Sequence, residues 1–308
     1  MRASTPLDFS QYGTLSKEWM EYQEANPDLV RAVPDLQSTP PAELQAVVNA
    51  MVAEATKAKM EKSGLWNVVE SQDHFVTGRD GNAIPLRCYR PKRLQGKTLP
   101  VHVYHHGGGF IFGSLESEEP MCAAWAHQLS MAVISVNYRH TPQVSGLAAW
   151  HDGIDAFEWI ARNTTTLGVD PGRITIGGIS AGGAIAAAVG VHEVRQAKEA
   201  GTTPRFKGQV LGIPTLFQEV PYHMFVDKEK TSRVQNADKP ILHKESLNYF
   251  FELLRKDTDV PLDHPTWNPA FTEKEVLQHM PRTVILANGA DTLRDDALVY
   301  ATRLQDAG

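Results

Sequence analysis

Apolar and polar positions follow different periods in successive parts of the chain. From about Leu15 to Lys62, charged and apolar residues alternate at helical spacing, broken by "VPDLQSTPP", whose prolines end any helix there. Two or three helices and no strand are expected. From His74 the period shortens to two: "HFVTGRDGNAIPLRCYRP" reads as two strands around the turn "RDGN", and "LPVHVYHHGGGF" as a strand running into glycines. The apolar runs "MAVISVNY", "RITIGGI", "FKGQVLGI" and "RTVILANG" then alternate with helix-like stretches beginning near Ser117, Ala148, Ala181 and Asp291. This alternation predicts the α/β class, with a doubly wound, mostly parallel sheet and helices on both faces. Between "LGIP" and "WNP" lie about fifty residues, roughly Leu216 to Pro265, far beyond a usual connection. The chain is therefore divided into an N-terminal helical segment, 1–65, and a core, 66–308. Segment 1–65 and an insertion at about 216–265 are expected to form a helical cap over the carboxyl ends of the strands.

Composition narrows the function classes. In 308 residues, 42% are hydrophobic, 21% are charged and the net charge is only −6, so neither disorder nor a polyanion-binding surface is indicated. No nucleic acid partner is expected. Cys88 and Cys122 make no disulfide framework and no metal-ligand pair. The start "MRASTPLDFSQYG" has no apolar signal region, and no run approaches the ~18 apolar residues of a membrane span. The expectation is a cytoplasmic protein without a membrane span.

The sharpest chemical signal is "IGGISAGGA", in which Gly178, Ser180 and Gly182 form Gly-x-Ser-x-Gly between the strand "RITI" and the helix "AAAVGVHEV". A serine at a tight strand-to-helix turn is held in a strained backbone, flanked by glycines that leave room, at the positive end of a helix. Ser180 reads as a nucleophile. The alternative is a serine that caps the helix starting at Ala181. In "YHHGGGFIFGS", the N–H groups of three consecutive glycines, Gly107 to Gly109, can point into a pocket and donate to an oxyanion. The alternative here is a flexible turn. His102, His105 and His106 do not suggest a metal site, since along a strand His105 points opposite to the other two and no carboxylate or cysteine is nearby.

These motifs carry a resemblance. With "GSLES", "VNYRHTP", "AAWHDGIDAFEWI" and "NGADTLRDDALVYATRL" in the same order, the chain resembles the hormone-sensitive-lipase branch of the α/β-hydrolases, esterases and lipases with a helical cap. The resemblance implies Ser180 as nucleophile, Asp291 as triad acid, and Gly108, Gly109 and Ala181 as oxyanion donors, with no cofactor and no metal. Ile179 departs from the acidic or threonine residue often found before the serine.

One departure is larger. In that family the triad histidine lies roughly thirty residues past the acid, whereas here the sequence runs seventeen residues past Asp291. His279 precedes the strand "RTVILANG", about 20 Å from its Asp291 end. His106 and His140 belong to framework motifs, and His223, His243 and His264 fall in the cap region, a poor place for a base that must hold its geometry. Two readings stand: the last strand and histidine loop are missing from a longer polypeptide, or the protein uses the old pocket without that base. The expected function is hydrolysis of small or medium apolar acyl esters by a serine nucleophile. The alternative is a non-hydrolytic use of the pocket, as a lyase, cyclase, acyl transferase or small-molecule receptor. "LFQEVPYHMF" and "LNYFFELL" suggest an aromatic substrate lining. A bare sheet edge at "RTVILANG" suggests association as a homodimer.

Overall fold

The computed structural model describes residues 6–27, 36, 38–217, 224–239 and 241–308. Seven strands form one sheet: β1 (Val69–Thr77), β2 (Ala83–Pro91), β3 (Leu99–His105), β4 (Ala132–Val136), β5 (Val169–Ile179), β6 (Gly208–Gly212) and β7 (Arg282–Leu286). Their order is β1-β2-β4-β3-β5-β6-β7. β1 and β2 run antiparallel to their neighbours, and every pairing from β4 to β7 is parallel. This is the α/β-hydrolase architecture. β1 begins five residues before the expected His74, because its polar "ESQD" stretch lies on an edge strand, where exposed positions hide the period.

Helices cover both faces. Helix α1 (Glu119–Leu129) lies against β2 and β4 on one side. On the other, α2 (Ala148–Arg162) and α3 (Ala181–Glu199) pack on each other, α2 also against β1 and β2 and α3 against β3, β5 and β6. In α2 the apolar residues Trp150, Ile154, Phe157 and Ile160 recur at intervals of three and four, and all four are buried. They meet Val101, Val103, Ile174 and Ile176 of the sheet in the main core. α3 is alanine-rich and buried over most of its length, so its backbone can approach the strands closely. Among the described residues no helix is long and apolar enough to cross a membrane.

Segments outside this core converge above the carboxyl ends of the strands. They include the N-terminal helices Lys17–Ala25 and Pro41–Ser63, and the insertion helices Ser232–Gln235 and Lys244–Arg255. The insertion and the N-terminus touch: Leu7 bridges Val226 in parallel, and Lys230 pairs with Asp8 at 2.7 Å. Gln45 and Asn49 of the long N-terminal helix hydrogen-bond the backbone of Ile111 and Gly113, just past the glycine run.

At the far side of the sheet, β7 pairs among the described residues only with β6. On one face of these two strands Val210, Val284 and Leu286 are 40%, 48% and 58% exposed, values usual for a surface but not for apolar strand residues.

Candidate active site

β5 ends at Ile179, and the chain turns through Ser180 into α3. Ser180 adopts φ 54° and ψ −118°, a conformation that costs a non-glycine residue of order 1–3 kcal/mol. Its surroundings impose it. The Ser180 N–H donates to the Gly212 carbonyl at 2.8 Å, and its carbonyl accepts from Ala184 and Thr215, both at 3.2 Å. The flanking glycines are required by space, since a Cβ on Gly182 would lie 2.0 Å from the His105 carbonyl oxygen, and one on Gly178 2.2 Å from that of Gly182. The hydroxyl makes no capping bond to α3, so the capping alternative is not the arrangement adopted. Ser180 lines a cavity of about 980 Å³ instead.

The glycine run is aimed from behind. The His106 Nδ1 lies 2.7 Å from the Gly107 carbonyl oxygen, and because a carbonyl only accepts, the proton sits on Nδ1. That carbonyl and the Gly108 N–H share one trans peptide, so they point in opposite directions. The Gly108 carbonyl in turn accepts from Ile111 at 3.1 Å and Phe112 at 2.8 Å, which turns the Gly109 N–H the other way. Gly108 (φ 123°) and Gly109 (φ 62°) both need positive φ, and both line the cavity. Among the described residues neither N–H donates to a protein acceptor. Ala181 is the first residue of α3 and carries one of the orphan N–H groups of a helix start, but its methyl is buried away from the cavity.

Asp291 lines the same cavity in the turn between β7 and the helix Arg294–Ala307, called α4 here. α4 starts three residues past Asp291, because that residue is spent on the turn: its Oδ1 accepts from Leu293 N–H at 2.9 Å. Burial pushes the Asp291 carboxyl up, and the hydrogen bonds from Leu293 and Thr292 only partly offset it. A polar clasp holds the turn. Asn236, fully buried, donates to the carbonyls of Asp291 (2.9 Å) and Gly289 (3.2 Å). The Ser232 hydroxyl donates to the Thr292 carbonyl at 2.7 Å, and Arg294 reaches Gln235 at 2.6 Å. Gln235 also donates to Ser10, and the Tyr12 carbonyl lies where a Cβ on Gly289 would be. Insertion, N-terminus and acid loop therefore meet at one point.

Several wall residues were not singled out in the sequence. Trp19, Val48 and Val52 come from the N-terminal helices, and Glu118 from the start of α1. The spacing of Val48 and Val52 was a signal, but period alone does not separate a pocket face from a core face. The aromatic lining expected of the insertion is narrower than the sequence suggested. Phe250 lines the cavity and packs directly on Gly109, while Phe251, Phe217 and Phe225 are buried in the core. A helix turns only about one side in four toward a given space. Residues 218–223, with His223, lie outside the described residues.

No histidine is among the described residues that line the cavity. His279 is exposed ahead of β7. His106 is buried and His140 partly buried, and both pack against Tyr138, at ring distances of 4.4 and 4.9 Å. His102 and His105 face opposite sides of the sheet, toward Trp125 of α1 and toward α2 and α3 respectively.

Comparison with known proteins agrees with the fold. Residues 102–308 match a family described as alpha/beta hydrolase fold. The chain is 34% identical over 233 residues to esterase LipI of Mycobacterium tuberculosis, covering 74% of this chain and 68% of that protein. It is 26% identical over 295 residues to ethyl acetate hydrolase of Pseudomonas putida, covering 92% and 86%. Among solved structures, the hyperthermophilic esterase of Pyrobaculum calidifontis superposes with a TM-score of 0.76 at 28% identity, covering 96% of this chain and 86% of that one. An ester-hydrolase from the metagenome of Lake Arreo superposes at 0.79 with 30% identity, covering 96% and 87%.

Proposed function

Because the chain belongs to the alpha/beta hydrolase fold family, in its hormone-sensitive-lipase-like esterase branch, we propose that it is a serine carboxylesterase acting on small or medium apolar acyl esters. Ser180 is the nucleophile, and Gly108, Gly109 and Ala181 stabilise the tetrahedral oxyanion. Asp291 orients and charges a base that relays the serine proton to the leaving alcohol, and water then releases the acid. Residues 1–65 and about 216–265 act as the cap that limits substrate size. One observation carries the reading. A serine held in a strained turn, with its hydroxyl making no capping bond, opens on the same cavity as two glycine N–H groups that have no protein acceptor among the described residues and as a largely buried aspartate. Ester hydrolysis uses all four together.

Among the described residues that line the cavity none fills the role of the base. We propose that the hydrolase works with a histidine that is not one of them, and that the 308 residues alone turn over esters slowly. The test is a p-nitrophenyl alkylphosphonate, followed by intact-mass measurement and peptide mapping. A single phosphonyl adduct on Ser180, slow in this chain and fast in any longer native form, is expected. An adduct elsewhere, or ester turnover unaltered by Ser180→Ala in every form, would overturn the proposal. Tight binding of a small molecule without turnover in any form would favour the receptor or lyase alternative.

Two further properties are proposed with this reading. Free, buried Cys88 and Cys122 fit a reducing, cytoplasmic setting. The exposed apolar strip Val210, Val284 and Leu286, beside an edge of β7 that no described residue pairs, favours pairing with a second copy. Sedimentation is expected to show concentration-dependent association that Val284→Lys with Leu286→Lys abolishes. A monomer at every concentration would remove the dimer from the proposal.

A further inference from the structure

The chemistry assigned to the cavity leaves one of its groups unused. Among the described lining residues, Glu118 and Asp291 are the only charged side chains, and no lysine, arginine or histidine accompanies them. Glu118 stands at the start of α1, where its own carbonyl accepts the first bonds of that helix from Met121 and Cys122 at 3.1 and 3.0 Å. Its backbone is therefore fixed and its side chain has one direction to go. One carboxyl oxygen accepts from the Tyr104 hydroxyl, the other from the Gly107 N–H at 3.4 Å. These are neutral donors, and Glu118 has no ion-pair partner among the described residues.

The remaining wall is largely apolar, with Trp19, Val48, Val52, Phe112, Ile179 and Phe250 around these polar groups. A charge facing such a wall is screened poorly, so its field reaches across the cavity. We infer that the cavity selects its ligands by charge, admitting neutral and cationic ones and rejecting anionic ones, with Glu118 as the specificity-determining residue. Burial raises the proton affinity of Glu118, as it does for a carboxyl without a counter-ion, and a bound ammonium group would supply that counter-ion. Asp291 adds to the same sign. The inference rests on the esterase reading only in naming the ligand an ester. Within that reading it has a consequence for turnover: hydrolysis converts a neutral ester into a carboxylate, the species this wall repels, so the acid product leaves readily.

The test is calorimetric titration of the whole chain with three ligands sharing one apolar tail: hexanamide, hexylamine as its ammonium, and hexanoate. Hexanoate is expected to bind on the order of tenfold or more weakly than hexanamide, and hexylammonium at least as tightly, with both differences shrinking as salt rises. Glu118→Gln keeps the oxygen acceptor and removes the charge, so it should narrow the spread between hexanoate and hexylammonium by about tenfold. Glu118→Asp should retain the spread, and binding of hexanamide reports whether each variant keeps its cavity. An equal spread in Glu118→Gln, equal affinities for all three ligands, or no binding by any of them would overturn the inference. Ser180→Ala separates it from the hydrolase proposal: lost turnover with the same order of affinities belongs to catalysis, and an order that survives when no form turns over esters sinks only the catalytic reading.

Discussion

Ser180→Ala is expected to cost the 308-residue chain little of its ester turnover until imidazole is added to the assay, and then to remove nearly all of the gain. A serine nucleophile and its base act as a unit, so once one is absent, removing the other changes little; where both are present, losing the serine costs about 10⁶ in kcat. With no histidine among the described cavity residues, the Ser180 hydroxyl proposed as nucleophile would be weak, resting on binding and oxyanion donors alone. Diffusible imidazole restores a general base beside Asp291, although not one held in place. Since a positioned base contributes ~10²–10⁴, a Ser180-dependent rise of about tenfold in p-nitrophenyl acetate hydrolysis is a reasonable yield from a free one. The increment is the rate with imidazole minus that of Ser180→Ala treated identically, because imidazole cleaves this ester unaided. In a longer native form containing the base, Ser180→Ala should cost the full factor and imidazole should add nothing. Equal imidazole response in the two proteins would count against Ser180.

The second large effect is on stability. Lowering the pH from 6.5 toward 4 is expected to unfold the protein or lower its Tm by at least about 10 °C. Desolvation holds His102, His105 and His106 down to about 4, and His140 to about 3, from an unfolded value of 6.5. Between those values the unfolded chain binds protons that the folded chain refuses. The stability from burying neutral imidazoles is therefore complete above pH 6.5, lost as pH falls through the window, and level once the folded groups also protonate. One pKa unit is worth about 1.4 kcal/mol, so four shifts of this size, even halved, rival the ~5–15 kcal/mol by which domains are stable. Buried carboxyls with raised proton affinity, Glu118, Asp291 and Asp296, pull the other way and soften the fall. His140→Phe, which keeps a ring against Tyr138 and removes an Nε2 without a partner, should flatten the profile. Thermal melts followed by circular dichroism across pH 4.5 to 7.5 decide it, and a Tm independent of pH would sink the account.

Much of the fold could be read because each central strand is a short apolar run ending in a turn residue, and the helices between them keep one period throughout. The strand-to-helix turn at Ser180 and the glycine run were legible for a related reason: positive φ and close backbone approach restrict which residues can stand there, so geometry leaves a mark in the letters. The walls were not legible. Trp19, Val52 and Phe250 reach the cavity only because distant segments fold over it, and nothing local distinguishes them from Phe251, which turns into the core. Glu118 sits in "ESEE", which reads as a solvated acidic run, yet the start of α1 turns that carboxyl inward while Glu116 pairs with Arg87 outside.

The clasp of Ser10, Tyr12, Ser232, Gln235 and Asn236 around the Asp291 turn bears on how the molecule is made. Tyr12 and Gly289 touch although nearly the whole chain separates them. On the ribosome the early residues emerge long before the partner they must grip has been synthesised. The sheet around β3 to β5 can form while the acid turn is still inside the tunnel. Nascent chains caught at that stage should hold a folded Ser180 turn and an unfinished cavity, unable to bind a ligand there and dependent on chaperones to keep the waiting N-terminal segment from other contacts.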